Sequence, residues 1–368
     1  MTNFLTKQIP TYMGNKRKLL KNIEKIIIEL EKQEDRKLTF GDGFSGSGIV
    51  SRLLKNHGSK LFTNDLAGYA KTFNESFLSN PSKKKLKEIE EYINKANNFA
   101  HNDKNNVESY IEKYWSPKND THIKENERVF FSNKNGKLID KYKYFIDNKT
   151  PKTIKNYLLA SLLIEASIHN NTNGQFSAFY KKDGIGAFGG KTGTDIKRIT
   201  QPIMLKLPIF SENKCVVNIS QMDTNEWVKT LPEVDVIYYD PPYNKHPYSI
   251  YYFMLDIINN WNIEIKIPDT YRGQPKNWLK SKYNSFSNAE EVFEDLIKNT
   301  KAKYIILSYN NGGIIPLENL DKILQKYGTL KKIPVIHKTY NKLKGIANYK
   351  RKTEKIKIKE FLWLLKKF

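Results

Sequence analysis

The chain is poor in cysteine: Cys215 stands alone among 368 residues. That excludes a disulfide framework and a cysteine zinc cluster, so no metal is expected, and a reducing compartment fits. No apolar run reaches the length of a membrane span. The opening residues, Met1-Thr2-Asn3-Phe4-Leu5-Thr6-Lys7, lack the apolar core of a signal peptide. A cytoplasmic location is the expectation, with no membrane partner. No internal repeat is visible. Acidic residues are scarce against basic ones: 39 Asp and Glu face 62 Lys and Arg, giving a formal charge of +23. Such an excess points to a polyanionic partner, nucleic acid above all. A Lys-rich compositional bias is the alternative, and charge does not separate DNA from RNA. The length suits one large domain, or a core domain with an insertion.

One short stretch organises the rest. Tyr239-Asp240-Pro241-Pro242-Tyr243 follows the apolar run Val234-Asp235-Val236-Ile237-Tyr238, which reads as a buried strand. The two prolines end that strand and offer carbonyl acceptors without competing N–H donors. An acid, two prolines and an aromatic thus sit at the carboxyl end of a strand, where open α/β sheets bind ligands. The set suits alkylation of an exocyclic amine on a nucleobase, whose lone pair is delocalised into the ring. Asp240 and the Pro241 carbonyl would grip the two amine hydrogens and favour a tetrahedral nitrogen, while Tyr243 stacks on the base. A plain turn after a strand is the competing account.

Upstream, Ile9-Pro10 is extended and Gly14-Asn15 signals a turn. A helix follows, with Leu19, Leu20, Ile23, Ile26, Ile27 and Leu30 on one face. Tyr12 and Lys16 then lie in a loop where an aromatic and a cation would meet a cofactor carrying a carboxylate; a solvated basic turn is the alternative. Next, Leu38-Thr39-Phe40 runs into Gly41-Asp42-Gly43-Phe44-Ser45-Gly46-Ser47-Gly48 and a helix from Ile49. The glycines permit positive φ and close backbone approach to a ligand; the G-x-G-x-x-G spacing is in itself a weak dinucleotide signal. The strand Lys60-Leu61-Phe62-Thr63 leads to Asp65, placed to bind ribose hydroxyls or to cap a helix. A further strand over 214–219, containing an inert Cys215, leads to Asp223, a second acid at the rim of the sheet.

Residues 81–150 turn polar, with aromatics scattered among Lys and Asn; they suit a nucleic-acid-facing insertion and a small α-rich subdomain equally. Residues 155–168 predict a buried helix, and 169–194 a glycine-rich loop in which Lys181, Lys182 and Lys191 approach a phosphate backbone, with Lys197 following. A helix is expected from about Tyr248 to Trp261, an irregular stretch over 262–288, a helix from Ala289 to Lys298, a strand over 302–309, a helix over 317–327 and strands over 332–338 and 359–366. The segment from Tyr340 to Lys357, dense in Lys and Arg, reads as a basic flap or a solvated loop.

Three segments in this order resemble the D12 class of DNA N6-adenine methyltransferases, relatives of the DNA adenine methylases: Tyr12-Met13-Gly14-Asn15-Lys16, Asp42-Gly43-Phe44-Ser45-Gly46-Ser47-Gly48 and Asp240-Pro241-Pro242-Tyr243. The resemblance implies a Rossmann-like α/β fold with a mostly parallel seven-stranded sheet, a strand reversed near the carboxyl end, and an inserted DNA-recognition region. It implies S-adenosylmethionine held by Tyr12, Met13, Lys16, Asp42, Phe44, Ser45, Gly46, Gly48, Asp65, Leu66, Asp223 and Asp240. Tyr12 and Lys16 would meet its methionine end, Asp65 the ribose and Asp223 the adenine ring. Asp240, Pro241, Pro242 and Tyr243 would hold an adenine flipped from duplex DNA. Lys181, Lys182, Lys191, Lys197, Asn244, Lys245, Tyr248, Lys350, Arg351 and Lys352 are the expected DNA contacts. The serines at 45 and 47 depart from the commonest form of the glycine loop. The core is expected over 1–80, 151–261 and 301–368, with 81–150 an α-rich insertion and candidate for target recognition, and 262–300 a second insertion and candidate for DNA contact. A cognate restriction endonuclease is an expected partner.

The rivals are an N4-cytosine or RNA methyltransferase of the same fold, a nicotinamide-dependent oxidoreductase, and a nucleic-acid-binding protein without catalysis. A C5-cytosine enzyme needs a nucleophilic cysteine in a loop, and Cys215 falls in an expected strand.

Overall fold

Apolar runs bounded by Gly, Asn or Pro form strands, and the amphipathic stretches between them form helices. The computed structural model describes residues 2–12, 14–190, 192–276, 279–335 and 359–368. Among these, one sheet contains seven strands: β1 (Thr39–Asp42), β2 (Lys60–Asn64), β3 (Val216–Ser220), β4 (Val234–Tyr239), β5 (Ala302–Asn310), β6 (Gly328–Val335) and β7 (Glu360–Lys367). Their spatial order is β3-β2-β1-β4-β5-β7-β6. β7 is antiparallel to both its neighbours, and the remaining pairs are parallel. This is the expected Rossmann-like methyltransferase arrangement. The chain switches direction across the sheet between β1 and β4, which opens a crevice at their carboxyl ends.

The longer helices are α1 (Leu20–Glu34), α2 (Ile49–His57), α3 (Gly68–Phe77), α4 (Lys83–Ala100), α5 (Asn133–Lys149), α6 (Lys152–Ile168), α7 (Thr224–Thr230), α8 (Phe253–Asn260), α9 (Ala289–Asn299) and α10 (Leu317–Gln325). They cover both faces of the sheet. Alternate residues of β4 show the division. Val236 and Tyr238 join the apolar cluster of Ile23, Ile27, Leu53 and Phe73. Ile237 and Tyr239 join that of Val228, Phe293, Ile297 and Leu324. Burial on both sides explains why the central strands read as near-continuous apolar runs. Helix α6 is apolar over most of its circumference because α3, α4, α5 and α8 surround it.

Some expected boundaries move. The helix expected over 248–261 breaks at Tyr252, whose φ of −125° and ψ of 20° leave the helical range. Its ring instead stacks on Tyr12, 4.3 Å between centroids. Cys215 lies just ahead of β3, buried. β6 starts earlier than expected, at Gly328, and 336–338 fall outside the described residues. Part of the 169–194 stretch is tied down by the buried Asn171, whose Nδ2 donates to the carbonyls of Ala187 and, outside the stretch, Val129, each at 2.9 Å. It also contains a small antiparallel pair, Lys181–Lys182 with Ile185–Gly186.

Gly41 shows how tightly β1 meets β4, because an added Cβ would lie 2.7 Å from Ile237 Cγ1. Gly41→Ala is expected to destabilise the fold by about 1–3 kcal/mol through overpacking, read as a lower denaturant midpoint with an unchanged slope; an unchanged midpoint would contradict this packing.

Candidate active site

Three strand ends build the site. β1 runs into the glycine loop, β2 into Asp65, and β4 into Asp240-Pro241-Pro242-Tyr243. The glycine loop is pinned on both sides. Gly43 N–H donates to the Tyr238 carbonyl at 3.1 Å and Ser45 N–H to the Asn64 carbonyl at 3.0 Å. Asp65 braces it from below, its Oδ2 accepting from Gly46 N–H at 2.8 Å and its Oδ1 from Ala67 N–H at 2.9 Å. Asp65 is therefore not the N-cap of α3; that position is Ala67. The serine at 45 has a structural partner, since its Oγ accepts from Asn74 Nδ2 at 2.8 Å.

These ends open into a cleft of about 1050 Å³, mouth included. Of the expected residues, Tyr12, Lys16, Phe44, Ser45, Gly46, Asp65, Leu66, Asp223, Asp240, Pro242 and Tyr248 line it. Asp42 lies beneath, fully buried, with Oδ2 accepting from Ser51 Oγ at 2.6 Å. Gly48 serves as the N-cap of α2. Pro241 is buried behind the strand end, and Tyr243 packs edge-on against Tyr309, 5.6 Å between centroids. Tyr248 turns inward and stacks parallel to Tyr12, 5.4 Å apart, so it belongs to the cleft wall. Lys181, Lys182, Lys197 and Lys245 are exposed away from this lining, and Asn244 is half-buried. Met13, Lys191, Lys350, Arg351 and Lys352 lie outside the described residues.

Lys16 is the electrostatic centre. Its Nζ sits 3.0 Å from Asp240 Oδ1 and 2.8 Å from Glu360 Oε1. The three side chains are only 5%, 15% and 13% exposed, respectively. Burial opposes the ammonium charge, but Asp240, Tyr243 and Glu360 outweigh it and hold Lys16 well above the ordinary lysine pKa. Burial pushes the Asp240 carboxyl up to about 7; Lys16 opposes this and Glu360 adds to it. Lys16 Nζ meets Asp240 Oδ1, an oxygen shut off from solvent, while no hydrogen bond among the described residues reaches the second oxygen of that carboxylate. A buried acceptor with unused capacity is costly unless a ligand supplies the donor. The Pro241 carbonyl likewise accepts none of the turn and loop hydrogen bonds among the described residues.

Sequence reasoning missed part of the lining. Tyr69 donates to or accepts from Tyr12 across 3.0 Å. Asp256 enters from α8, its carboxyl pushed up to about 7 by burial and by Asp65. Tyr283 meets Phe44 edge-on, 5.4 Å between centroids, and donates to Asn225 Oδ1 at 2.8 Å. Glu360 opens β7, opposite Asn310 at the end of β5. Because β7 is reversed, its first residue reaches the same edge as the last residues of the parallel strands. An acid directly before an apolar run at a reversed strand was the available signal.

The cleft thus combines an aromatic slot, four carboxyls (Asp65, Asp223, Asp240 and Asp256) and a glycine loop. It suits an aromatic ligand that carries positive charge. Comparison with known proteins identifies a family. Residues 12–323 match the model of the D12 class N6 adenine-specific DNA methyltransferases. The type II methyltransferase M.NlaIII of Neisseria lactamica is 27% identical over 366 residues, 97% of this chain and 99% of that protein. The modification methylase LlaI of Lactococcus lactis subsp. lactis is 26% identical, over 86% of this chain and 48% of its own length. For the modification methylase StsI of Streptococcus sanguinis the identity is 28%, over 88% and 48%. The chain spans about half the length of these last two relatives.

Lys16→Met leaves two buried carboxylates facing each other without their cation. It is expected to cost about 3–5 kcal/mol at pH 8. The sign of the pH dependence follows from Asp240. Without Lys16 its folded pKa rises further above the unfolded value, so the folded state takes up a proton as pH falls and part of the loss returns below pH 7. Denaturation at pH 8 and pH 6 measures this; an equal loss at both would contradict the ion-pair account.

Proposed function

The chain belongs to the D12 class of N6 adenine-specific DNA methyltransferases, and on that premise we propose that it transfers methyl groups from S-adenosylmethionine to a flipped adenine in duplex DNA, as the modification enzyme of a type II restriction-modification system with a cognate endonuclease. The names of its relatives support the last part. The observation that carries the chemistry is Asp240, a largely buried carboxylate that lies beside Pro241 at the carboxyl end of β4 and lines the cleft, engaged by Lys16 at Oδ1 and with no hydrogen bond among the described residues to its second oxygen.

When bound, the cofactor supplies a methyl group on a sulfonium, an electrophile that needs no covalent enzyme intermediate. The residues present fit it. Gly46 leaves room against Tyr12, whose Cε1 would lie 3.2 Å from an added Cβ. Asp65 and Asp223 offer acceptors to ribose and ring, Phe44 and Leu66 apolar walls, and Tyr12 the wall nearest Lys16. Asp240 and the Pro241 carbonyl accept the two hydrogens of the adenine amine and favour a tetrahedral nitrogen with its lone pair free. Positive charge then develops on that nitrogen beside the Asp240 carboxylate, where it is stabilised mainly in the transition state. Tyr243 stacks on the flipped base.

For DNA contact we propose 81–150 and 262–300, with the 177–190 hairpin and the segment from Tyr340 to Lys357. Hydrogen bonds within the protein support treating the first three as one surface. Trp115 Nε1 donates to the Arg272 carbonyl at 3.0 Å, and Arg128 donates to the carbonyls of Thr270 and Pro268 at 2.9 and 2.8 Å. Tyr271 Oη donates to the Phe179 carbonyl at 3.2 Å. The nicotinamide reading gives Asp240-Pro241-Pro242-Tyr243 no role and is set aside.

Asp240→Ala is expected to lower methyl transfer to DNA about a thousandfold or more while S-adenosylmethionine binds within a few-fold of the parent. Retained turnover would sink the assignment. Replacing Lys181 and Lys182 together by Ala should flatten the plot of log affinity against log salt by about 0.9 for each phosphate contact removed; an unchanged slope would remove the hairpin from the DNA surface.

A further inference from the structure

We propose that Glu360 is a positioning residue for methyl transfer: it draws part of the Lys16 charge away from Asp240, so that the Asp240 carboxylate is oriented by a cation yet stays a strong acceptor for the adenine amine. The inference rests on the role given to Asp240 above and concerns a residue that lies far from the recognised motifs.

The geometry carries it. Lys16 Nζ lies closer to Glu360 Oε1, at 2.8 Å, than to Asp240 Oδ1, at 3.0 Å. Both carboxylates are within hydrogen-bond reach of that ammonium, and the Glu360 contact is an aligned hydrogen bond. Ser308 Oγ on β5 also donates to Glu360 Oε1, at 3.4 Å, so the carboxylate is held from the sheet as well as from Lys16. If Lys16 faced Asp240 alone, its full charge would fall on that carboxylate and weaken it as an acceptor. With two carboxylates on one ammonium, the cation is shared and Asp240 keeps more of its negative charge for the amine. Glu360 reaches this position only because β7 is antiparallel, which brings its first residue to the edge where β4 ends.

The charged and titratable groups facing Asp240 are Lys16 from the turn before α1, Glu360 from β7, Asp42 from β1, Tyr238 from β4, Tyr243 and Tyr248 from the chain after β4, and Tyr309 from β5. Glu360 and Asp42 are the like charges in this set. Removing the Glu360 charge while keeping its shape must therefore make Asp240 a stronger acid.

The test is Glu360→Gln in the full chain, with Glu360→Asp as the charge-retaining variant. Three readouts are needed: kcat and KM for methyl transfer to DNA across pH, equilibrium binding of S-adenosylmethionine, and the titration of Asp240 in cofactor-free protein by carboxyl ¹³C NMR, assigned with Asp240→Asn. The expected result for Glu360→Gln is a drop in kcat of about tenfold, cofactor affinity within about twofold, and an Asp240 titration and acid limb of kcat/KM moved to lower pH. Glu360→Asp should keep the titration near that of the parent. A merely structural role would lower stability and cofactor binding together and leave the Asp240 titration in place, which would overturn the proposal. So would an unchanged kcat in both variants. If the parent enzyme itself transfers no methyl group, the reading of Asp240 fails instead, and the NMR titration still decides whether Glu360 acts on it.

Discussion

A buried ammonium shared between two carboxylates is the interaction on which the cleft depends. Lys16 comes from the segment before α1, Asp240 from the end of β4 and Glu360 from the start of β7. These three pieces are far apart in sequence, and the ion pairs fasten them at one edge of the sheet. A buried salt bridge is weak support for stability, because desolvation offsets much of the Coulomb attraction. Here its value is better seen in what it does to Asp240. A carboxylate at that depth alone would take a proton; one facing Lys16 alone would be a weaker acceptor. The shared cation leaves an Asp240 carboxyl that burial pushes up to about 7, with Lys16 at one of its oxygens.

The topology makes this arrangement available. Parallel strands β1, β2 and β4 deliver their carboxyl ends to one edge, and the direction change between β1 and β4 opens the crevice there. The reversed β7 adds an amino-terminal end to the same edge. Aromatic stacking then fixes the walls: Tyr12 stacks on both Tyr248 and Tyr252, at 5.4 and 4.3 Å, and those two rings lie 6.3 Å apart. The break in the helix at Tyr252 follows from that stack, since a regular helix would carry the ring elsewhere. Hydrogen bonds from Trp115 and Arg128 to the carbonyls of Pro268, Thr270 and Arg272 tie two polar stretches of the chain together.

Much of this was legible before the fold was known. The Asp240-Pro241-Pro242-Tyr243 stretch, the glycine loop and the Tyr12 to Lys16 segment each announce themselves by residue type and spacing, and part of each lines the cleft, while Asp42, Pro241 and Tyr243 pack behind it and Met13 lies outside the described residues. Residues that act through long-range pairing were not legible. Glu360 looks like an ordinary strand-flanking acid until β7 is known to run backwards. Asp256 sits in an amphipathic helix whose polar face would normally meet water, and Tyr283 in an irregular stretch without pattern. Asp65 was read as a ribose ligand or a helix cap; its observed partners are the N–H groups of Gly46 and Ala67, a bracing role that only the folded loop reveals. The basic residues are legible as charge but not as a surface, because charge alone does not tell a DNA-facing lysine from a solvated one.

The most direct test of the account is the identity of the methylated base. The protein is incubated with methyl-labelled S-adenosylmethionine and mixed-sequence duplex DNA, with an RNA sample alongside, and each is digested to nucleosides and analysed by mass. The account predicts label in N6-methyladenine from the duplex. Label in N4-methylcytosine, label confined to the RNA, or a protein that does not bind S-adenosylmethionine would contradict it.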